Sequence, residues 1–285
     1  MRCVIIALLG AALTGGVAGA QPVEGRLKTI QETATLRIAY RTDSRPFAFV
    51  DGQGKPAGYS IELCTRIAKS IERELGLPSL AIRWVQVDTR TRFEAIANGT
   101  ADLECGSTTI SLSRLKMVDF SSLIYAESTG VLVKAGQGFF NFDSMAGRKI
   151  GVVPGSTNAR AIRDQLMQRK MDAMLVEFRD REVGVAALAR GALDGFATDK
   201  LVLLALAQAA SLRDYSLLPD DLSFEPFGIM LPRGDWAFRL AVNTGLARVF
   251  RSGEIVEIYT KYFSTLAPNP SAWIGAVFTF GALPE

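Results

Sequence analysis

Hydrophobic and polar positions follow two alternating periods between Leu36 and Phe263. Leu36-Arg37-Ile38-Ala39-Tyr40 has the period of two expected of a half-buried strand. After the polar turn Arg41 to Pro46, Phe47-Ala48-Phe49-Val50 reads as a short strand, ended by Asp51-Gly52-Gln53-Gly54. From Tyr59 to Leu75 the apolar residues Ile61, Cys64, Ile67, Ala68 and Ile71 recur at helical spacing, and Gly76 is the stop. Ala81 to Val87 reads as a strand, Arg92 to Asn98 as a short helix closed by Gly99, and Ala101 to Glu104 as a strand. This alternation predicts a mainly parallel sheet with helices on its faces. In such sheets ligands bind beyond the carboxyl ends of the strands. That directs attention to the loops Arg41 to Arg45, Asp88 to Arg92 and Cys105 to Arg114.

The pattern then starts again. Strands are expected at Thr129 to Val133, Lys149 to Val153, Met174 to Val176 and Gly195 to Thr198, with helices at Ala159 to Arg169, Glu182 to Ala189 and Leu201 to Ala210. Ser156, Thr157 or Asn158 can cap the first of these helices, whose free N–H groups and dipole suit an anion. A strand near Phe224 to Leu231 leads back to the first half, which Trp236 to Phe250 and Ile255 to Phe263 complete as helices. The prediction is therefore two α/β lobes, the second inserted in the first, with a ligand cleft between them. Lobe 1 is expected over 30–133 and 229–285, and lobe 2 over 134–228, with hinges near Lys134 and Phe224. Beyond Thr265 the tail carries Pro268, Pro270 and an apolar stretch from Trp273 to Phe280, expected to strap the surface of one lobe.

Composition and the chain's first residues change this picture at four points. Met1-Arg2, the apolar run Cys3 to Leu13 and Ala18-Gly19-Ala20 form the pattern of a signal peptide over 1–20, cleaved before Gln21, which implies a periplasmic protein. The 285 residues include no histidine, which removes the commonest general base and zinc ligand. No catalytic residue, cofactor or metal is expected. The net charge of +3 is spread along the chain, so no nucleic-acid partner is expected. Cys64 and Cys105 can form a disulfide or can both be buried thiols.

The chain resembles the extracellular solute-binding proteins of ABC amino-acid importers (family 3), above all their glutamate/aspartate branch. The resemblance is carried by Asn98-Gly99-Thr100-Ala101-Asp102-Leu103-Glu104-Cys105-Gly106-Ser107-Thr108-Thr109, with Arg114 and Asp119-Phe120-Ser121 behind it. Weaker matches are Ala57-Gly58-Tyr59-Ser60, Gly155-Ser156-Thr157 and the strand that ends in Asp199. It implies the two-lobed type II periplasmic binding fold with two hinge strands. Arg114 would fork onto the ligand's α-carboxylate, with hydrogen bonds from Ser107, Thr109 and Thr157, and Asp199 would take the ammonium. Arg41 and Arg92 match arginines of that branch. Three cations facing one crevice favour a second carboxylate on the ligand, hence glutamate or aspartate. The implied partners are this small amino acid and a membrane ABC permease, with the protein acting as a monomer.

The sequence departs from the branch at Arg181, near which those proteins carry a histidine. An arginine there either serves a more anionic ligand or points to solvent. Pro154 replaces a smaller polar residue, and the partner cysteine expected near Ile229 is absent. The alternative is a cyclohexadienyl (prephenate or arogenate) dehydratase on the same fold, with Glu104 or Glu182 as its general acid.

Overall fold

The computed structural model describes residues 23–284, so the signal-peptide segment expected over 1–20 lies outside the described residues. In chain order the elements are α1 (Gly25–Thr33), β1 (Thr35–Tyr40), β2 (Asp43–Ser44), β3 (Ala48–Val50), β4 (Pro56–Ala57), α2 (Tyr59–Glu74), β5 (Ala81–Gln86), α3 (Arg92–Ala97), β6 (Leu103–Glu104), β7 (Asp119–Glu127) and β8 (Thr129–Lys134). They continue with β9 (Lys149–Val152), α4 (Thr157–Arg169), β10 (Met174–Glu177), α5 (Arg181–Ala189), β11 (Gly195–Asp199), α6 (Lys200–Ala209), β12 (Tyr215–Leu217), β13 (Glu225–Leu231), α7 (Trp236–Ser252), α8 (Glu254–Phe263) and α9 (Ala272–Gly281).

Two five-stranded sheets define the lobes. The first has the order β5-β1-β6-β13-β7 and the second β10-β9-β11-β8-β12. Within the first, β1 runs parallel to β5 and β6, whereas β13 is antiparallel to β6 and β7. Within the second, β9 is parallel to β10 and β11, and β8 is antiparallel to β11 and β12. Each sheet is thus mixed rather than mainly parallel, because the strands that carry the chain between lobes run against the βαβ core.

The crossings also correct the expected boundaries. β8 pairs with β11 and β12 in the second sheet, so the first crossing lies between Glu127 and Thr129, ahead of the boundary expected at 133/134. The return lies between Leu217 and Glu225, since β13 already belongs to the first sheet. A strand's hydrophobic pattern reports burial but not which sheet buries it, so the sequence placed these elements without placing the crossing.

Core burial follows the predicted faces. Leu36 and Ile38 of β1 and Leu63, Cys64, Ile67 and Ile71 of α2 are fully buried. Helix α7 lies close against α2 because Gly245 has no side chain there; a Cβ would sit 3.1 Å from the Ile67 Cα. The polar stretch before Leu36 contains α1, held by buried Leu27 and Ile30. The expected strap is instead helix α9, capped by Ser271 and packed on β7 and α7 with Ile274, Val277 and Gly281 buried. Among the described residues no helix is long and apolar enough to cross a membrane.

Cys64 of α2 and Cys105, just after β6, are joined as a disulfide across 41 residues of sequence. A loop of that length is worth about 3–4 kcal/mol in the chain-entropy account. Cys64→Ser with Cys105→Ser, or a reductant, should therefore lower the stability of the ligand-free protein by that order in urea unfolding. Because Cys105 opens the loop that carries Ser107 and Thr109, ligand affinity should fall with it. An unchanged urea midpoint would show that the crosslink adds nothing to the fold.

Candidate functional site

The floor of the cleft is built by the first lobe. The disulfide and a 2.8 Å hydrogen bond donated by Ser60 Oγ to the Gly106 carbonyl anchor the loop after β6 to α2. Gly106 is needed there, since a Cβ at that position would fall 2.5 Å from Glu104 Oε1. Arg92 opens α3 and donates from a terminal nitrogen to Thr108 Oγ1 at 2.6 Å, and that hydroxyl donates to Glu104 Oε2 at 2.7 Å. Arg114, just beyond the same loop, donates to the Thr109 carbonyl at 2.7 Å. The two guanidinium groups each lie 5.1 Å from the centre of the Phe93 ring, so they are within about 10 Å of one another. Arg41, in the loop after β1, is engaged by Asp43 through Nε at 2.9 Å and a terminal nitrogen at 2.8 Å.

The second lobe closes over this floor. Ser156 caps α4 by accepting from the Ala159 N–H. Thr157 then donates to Glu225 Oε2 at 2.6 Å and stands 3.1 Å from the Thr109 hydroxyl. Asn158 donates to Thr129 Oγ1 at 2.8 Å and to Asp199 Oδ1 at 2.9 Å. Arg181 begins α5 behind its cap Asp180 and reaches in both directions. It bonds Thr198 at 2.8 Å and Asp199 at 2.9 Å in its own lobe, and Ser44 at 2.7 Å across the cleft. These contacts hold the lobes shut. Interlobe cavities of about 470 and 520 Å3 flank the contact, the first bordered by Thr109, Arg114, Thr157 and Glu225, the second by Asp43, Asp88 and Asp180.

Burial makes the charge pairing consequential. Arg41 pairs with Asp43 and Arg181 with Asp199, but among the described residues Arg92 and Arg114 have no carboxylate within 4.0 Å. Both are more than nine-tenths shielded from solvent. Among the described residues, four buried side-chain atoms have no hydrogen-bond partner: Arg41 Nη1, Arg92 Nε, Ser107 Oγ and Glu104 Oε1. All four belong to the floor of the cleft. Burial, with Arg41 next to it, holds Arg92 well below the usual arginine range, and burial also lowers Arg114 and Arg181. Cations penalised in this way gain most from an anionic ligand that brings its own charge into the dry site.

Two carboxylates shift in opposite directions. Burial alone would raise Asp43, yet the charges of Arg41 and Arg181 hold it well below the carboxylate range. At the crossing between the lobes, burial and the nearby Asp199 push Glu127 up to about 8. Asp43 therefore contributes stability above its unfolded pKa of about 3.9, lost as pH falls below that. Glu127 acts the other way: its contribution is complete below about 4.3 and is lost as pH rises to its folded value of about 8. The melting temperature of the ligand-free protein should thus peak near pH 5 and decline toward pH 8.5, and Glu127→Gln should flatten the alkaline decline. An unchanged slope in that variant would remove Glu127 as its source.

Of the residues expected from the sequence, Arg41, Arg92, Ser107, Thr109, Arg114 and Asp199 are buried and Thr157 is half-buried, with the Thr109 and Thr157 hydroxyls meeting across the lobes. Asp199, expected to take a ligand ammonium, accepts from the Arg181 guanidinium on one oxygen and from Asn158 on the other. Arg181 does not point to solvent; it is 3% exposed. The count of three facing cations also left out Arg181 and the carboxylates of Asp43, Glu104, Asp199 and Glu225. Asp43, Ser44 and Thr108 lie inside loops that the strand-end rule had marked. Glu225 had no such signal, since only the register of β13 against β7 brings it opposite Glu127.

Comparison with known proteins accords with this geometry. The model of the bacterial extracellular solute-binding proteins, family 3, matches residues 36–265. An L-glutamate/L-aspartate-binding protein of Pseudomonas aeruginosa is 33% identical over 90% of this chain and 86% of its own length. A glutamate/aspartate import solute-binding protein of Escherichia coli is 28% identical over 92% of this chain and 88% of its own. Among solved structures, an ancestral amino acid-binding protein described as a precursor of cyclohexadienyl dehydratase superposes with a TM-score of 0.74 at 26% identity, covering 84% of this chain and all of that one.

Proposed function

Because the chain belongs to the bacterial extracellular solute-binding proteins, family 3, we infer that its cleft holds a small dicarboxylic amino acid, glutamate or aspartate, for delivery to a membrane ABC permease. The class expected from the sequence, a solute-binding protein on the type II periplasmic binding fold and not an enzyme, is the class of this family and its named relatives. Export by the segment 1–20 would place the protein in the periplasm.

One observation carries the ligand reading: two buried arginines, Arg92 and Arg114, flank a single ring without an ion-pair partner in a cleft with three further unsatisfied atoms. A neutral amino acid would answer one arginine and leave the other desolvated and unpaired. A dicarboxylate answers both. Arg114 would take the α-carboxylate beside Thr109 and Thr157, while Arg92, with Arg41 and Ser107, would take the second. No bond is made or broken. The ligand touches both lobes and stabilises the closed state by the difference between its affinities for closed and open forms.

Thermal unfolding of the refolded, ligand-stripped mature protein tests this, with glutamate, aspartate, glutamine, arginine and prephenate as the panel. At about 100 times Kd a ligand adds about 2.7 kcal/mol to stability, a rise of roughly 5–10 °C for a protein of this size. A shift with glutamate or aspartate and none with glutamine is the expected result. A shift with glutamine alone would sink the two-carboxylate reading, and a shift with prephenate alone would favour the dehydratase.

A further inference from the structure

We propose that Glu225 is an interlobe clasp: its carboxylate, gripped by hydroxyls of both lobes, populates the closed cleft ahead of the ligand and so sets part of the ligand's affinity. The proposal rests on the reading that the ligand binds in this cleft and that closure accompanies binding, and it adds a positioning residue that acts on closure.

Glu225 is the first residue of β13, where the chain has returned from the second lobe, and it is 2% exposed. Its carboxylate accepts from hydroxyls of four different segments. Thr109 and Thr157 donate to Oε2, the latter at 2.6 Å. Ser223 donates to Oε1 at 2.6 Å, and the Thr129 hydroxyl reaches the same oxygen at 3.3 Å. Thr109 lies in the loop after β6 of the first lobe, and Thr157 opens α4 of the second. Thr129 opens β8 just past the first crossing, and Ser223 lies in the return crossing. One side chain therefore joins the two lobes and both segments that connect them.

Among these contacts, the one with Thr157 runs from lobe to lobe. Thr109 is fastened to β13 itself: it bridges Phe227, and the N–H of its neighbour Ile110 donates to the Pro226 carbonyl at 2.7 Å. Helix α4 is instead anchored in the core of the second lobe by Ala159, Ile162 and Leu166. Parting of the lobes thus leaves Thr109 on Glu225 and takes Thr157 away from both of them. Two effects oppose that separation. A hydrogen bond to a carboxylate is roughly twice as strong as one between neutral groups. The carboxylate also meets the first residue of a 13-residue helix, whose positive dipole end favours an anion. Both effects belong to the closed form, and the chain supplies both from its own groups. The contact of Arg181 with Ser44 is made by a different helix, α5, so the contribution of Glu225 can be measured separately.

Pulsed dipolar spectroscopy of the ligand-stripped protein measures the lobe separation directly, with spin labels at Leu240→Cys in the first lobe and Met174→Cys in the second. Both positions are exposed, and Cys64 and Cys105 are held in their disulfide. The expected result is that about a tenth or more of wild-type molecules show the closed distance of this structure. The closed-to-open ratio should be at least about tenfold lower in Glu225→Ala and in Thr157→Val. Glu225→Gln, whose amide oxygen still accepts, should lose less. Calorimetric affinity for glutamate should weaken in Glu225→Ala in proportion to the closed fraction, since apparent affinity scales with the population of the binding-competent form. A wild-type protein found wholly at longer distances, or a Glu225→Ala distribution matching wild type, overturns the clasp and leaves the two-carboxylate reading standing. A lower melting temperature in Glu225→Ala with an unchanged distance ratio also counts against it, as the mark of a purely structural role. Should glutamate and aspartate fail to bind the wild type, the two-carboxylate reading falls, and the ligand-free distances still decide on the clasp. If Glu225→Ala does not fold, Thr157→Val and Glu225→Gln carry the same comparison.

Discussion

Replacing Arg114 with alanine is expected to weaken ligand binding by about thirtyfold or more, while leaving the ligand-free protein as stable as before or more so. The two halves of that result have different causes. A guanidinium fork onto a carboxylate in a closed cleft is a charge-assisted, desolvated contact, and removing one partner of such a pair typically costs about 2–5 kcal/mol of affinity. Without ligand, Arg114 is a buried cation whose guanidinium, among the described residues, donates to the Thr109 carbonyl and meets no carboxylate, and burial already lowers its pKa. Its loss therefore relieves a desolvation cost. Arg92→Ala should give the same pair of effects, but with a preferential loss of dicarboxylates over neutral analogues, since its role is the second carboxylate. Titration calorimetry gives the affinity and urea unfolding the stability. An Arg114→Ala protein that binds as wild type does would remove Arg114 from the site.

Asp199→Asn should be the most damaging single substitution for the fold itself, at about 3–5 kcal/mol in urea unfolding. It leaves the Arg181 guanidinium buried without its ion-pair partner, the circumstance in which breaking a buried pair costs most. Arg181→Ala should cost less. The carboxyl that remains can protonate, and burial already raises Asp199 in that direction, whereas an arginine does not readily shed its charge. A double-mutant cycle with Arg181→Ala and Asp199→Asn should show strong coupling, because the second change removes a charge that the first left uncompensated. Equal costs for the two single variants would contradict the asymmetry, and additivity would contradict the ion pair.

The loops that face the cleft were legible because of where they stand in the alternation. A polar segment just beyond a buried strand has few structural reasons to carry Arg41, Arg92 or Arg114, and the fold buries all three. The crosslink between Cys64 and Cys105 was not legible, since periodicity fixes the helix and the strand but not the distance between them. The crossing ahead of Thr129, expected near Lys134, was not legible for the same reason, whereas the return does fall at Phe224. Thr129 to Lys134 reads as a buried strand in either sheet, and only its pairing with β11 and β12 shows which.

The sequence by itself determined the two-lobed plan, most of the helices and strands, and the set of cationic and hydroxyl side chains at their ends, because these depend on local periodicity and on turn residues a few positions apart; α1, β7, β12 and α9 were not among them. Only the tertiary structure decided which of those charges are already answered. Arg41 meets Asp43 within two residues, but Arg181 meets Asp199 from the start of one helix and the end of another strand, and Glu225 arrives through a strand that returns from the other lobe. Charge pairing in a buried cleft depends on distances of a few ångströms between chain segments far apart in sequence, and a linear pattern does not contain those distances.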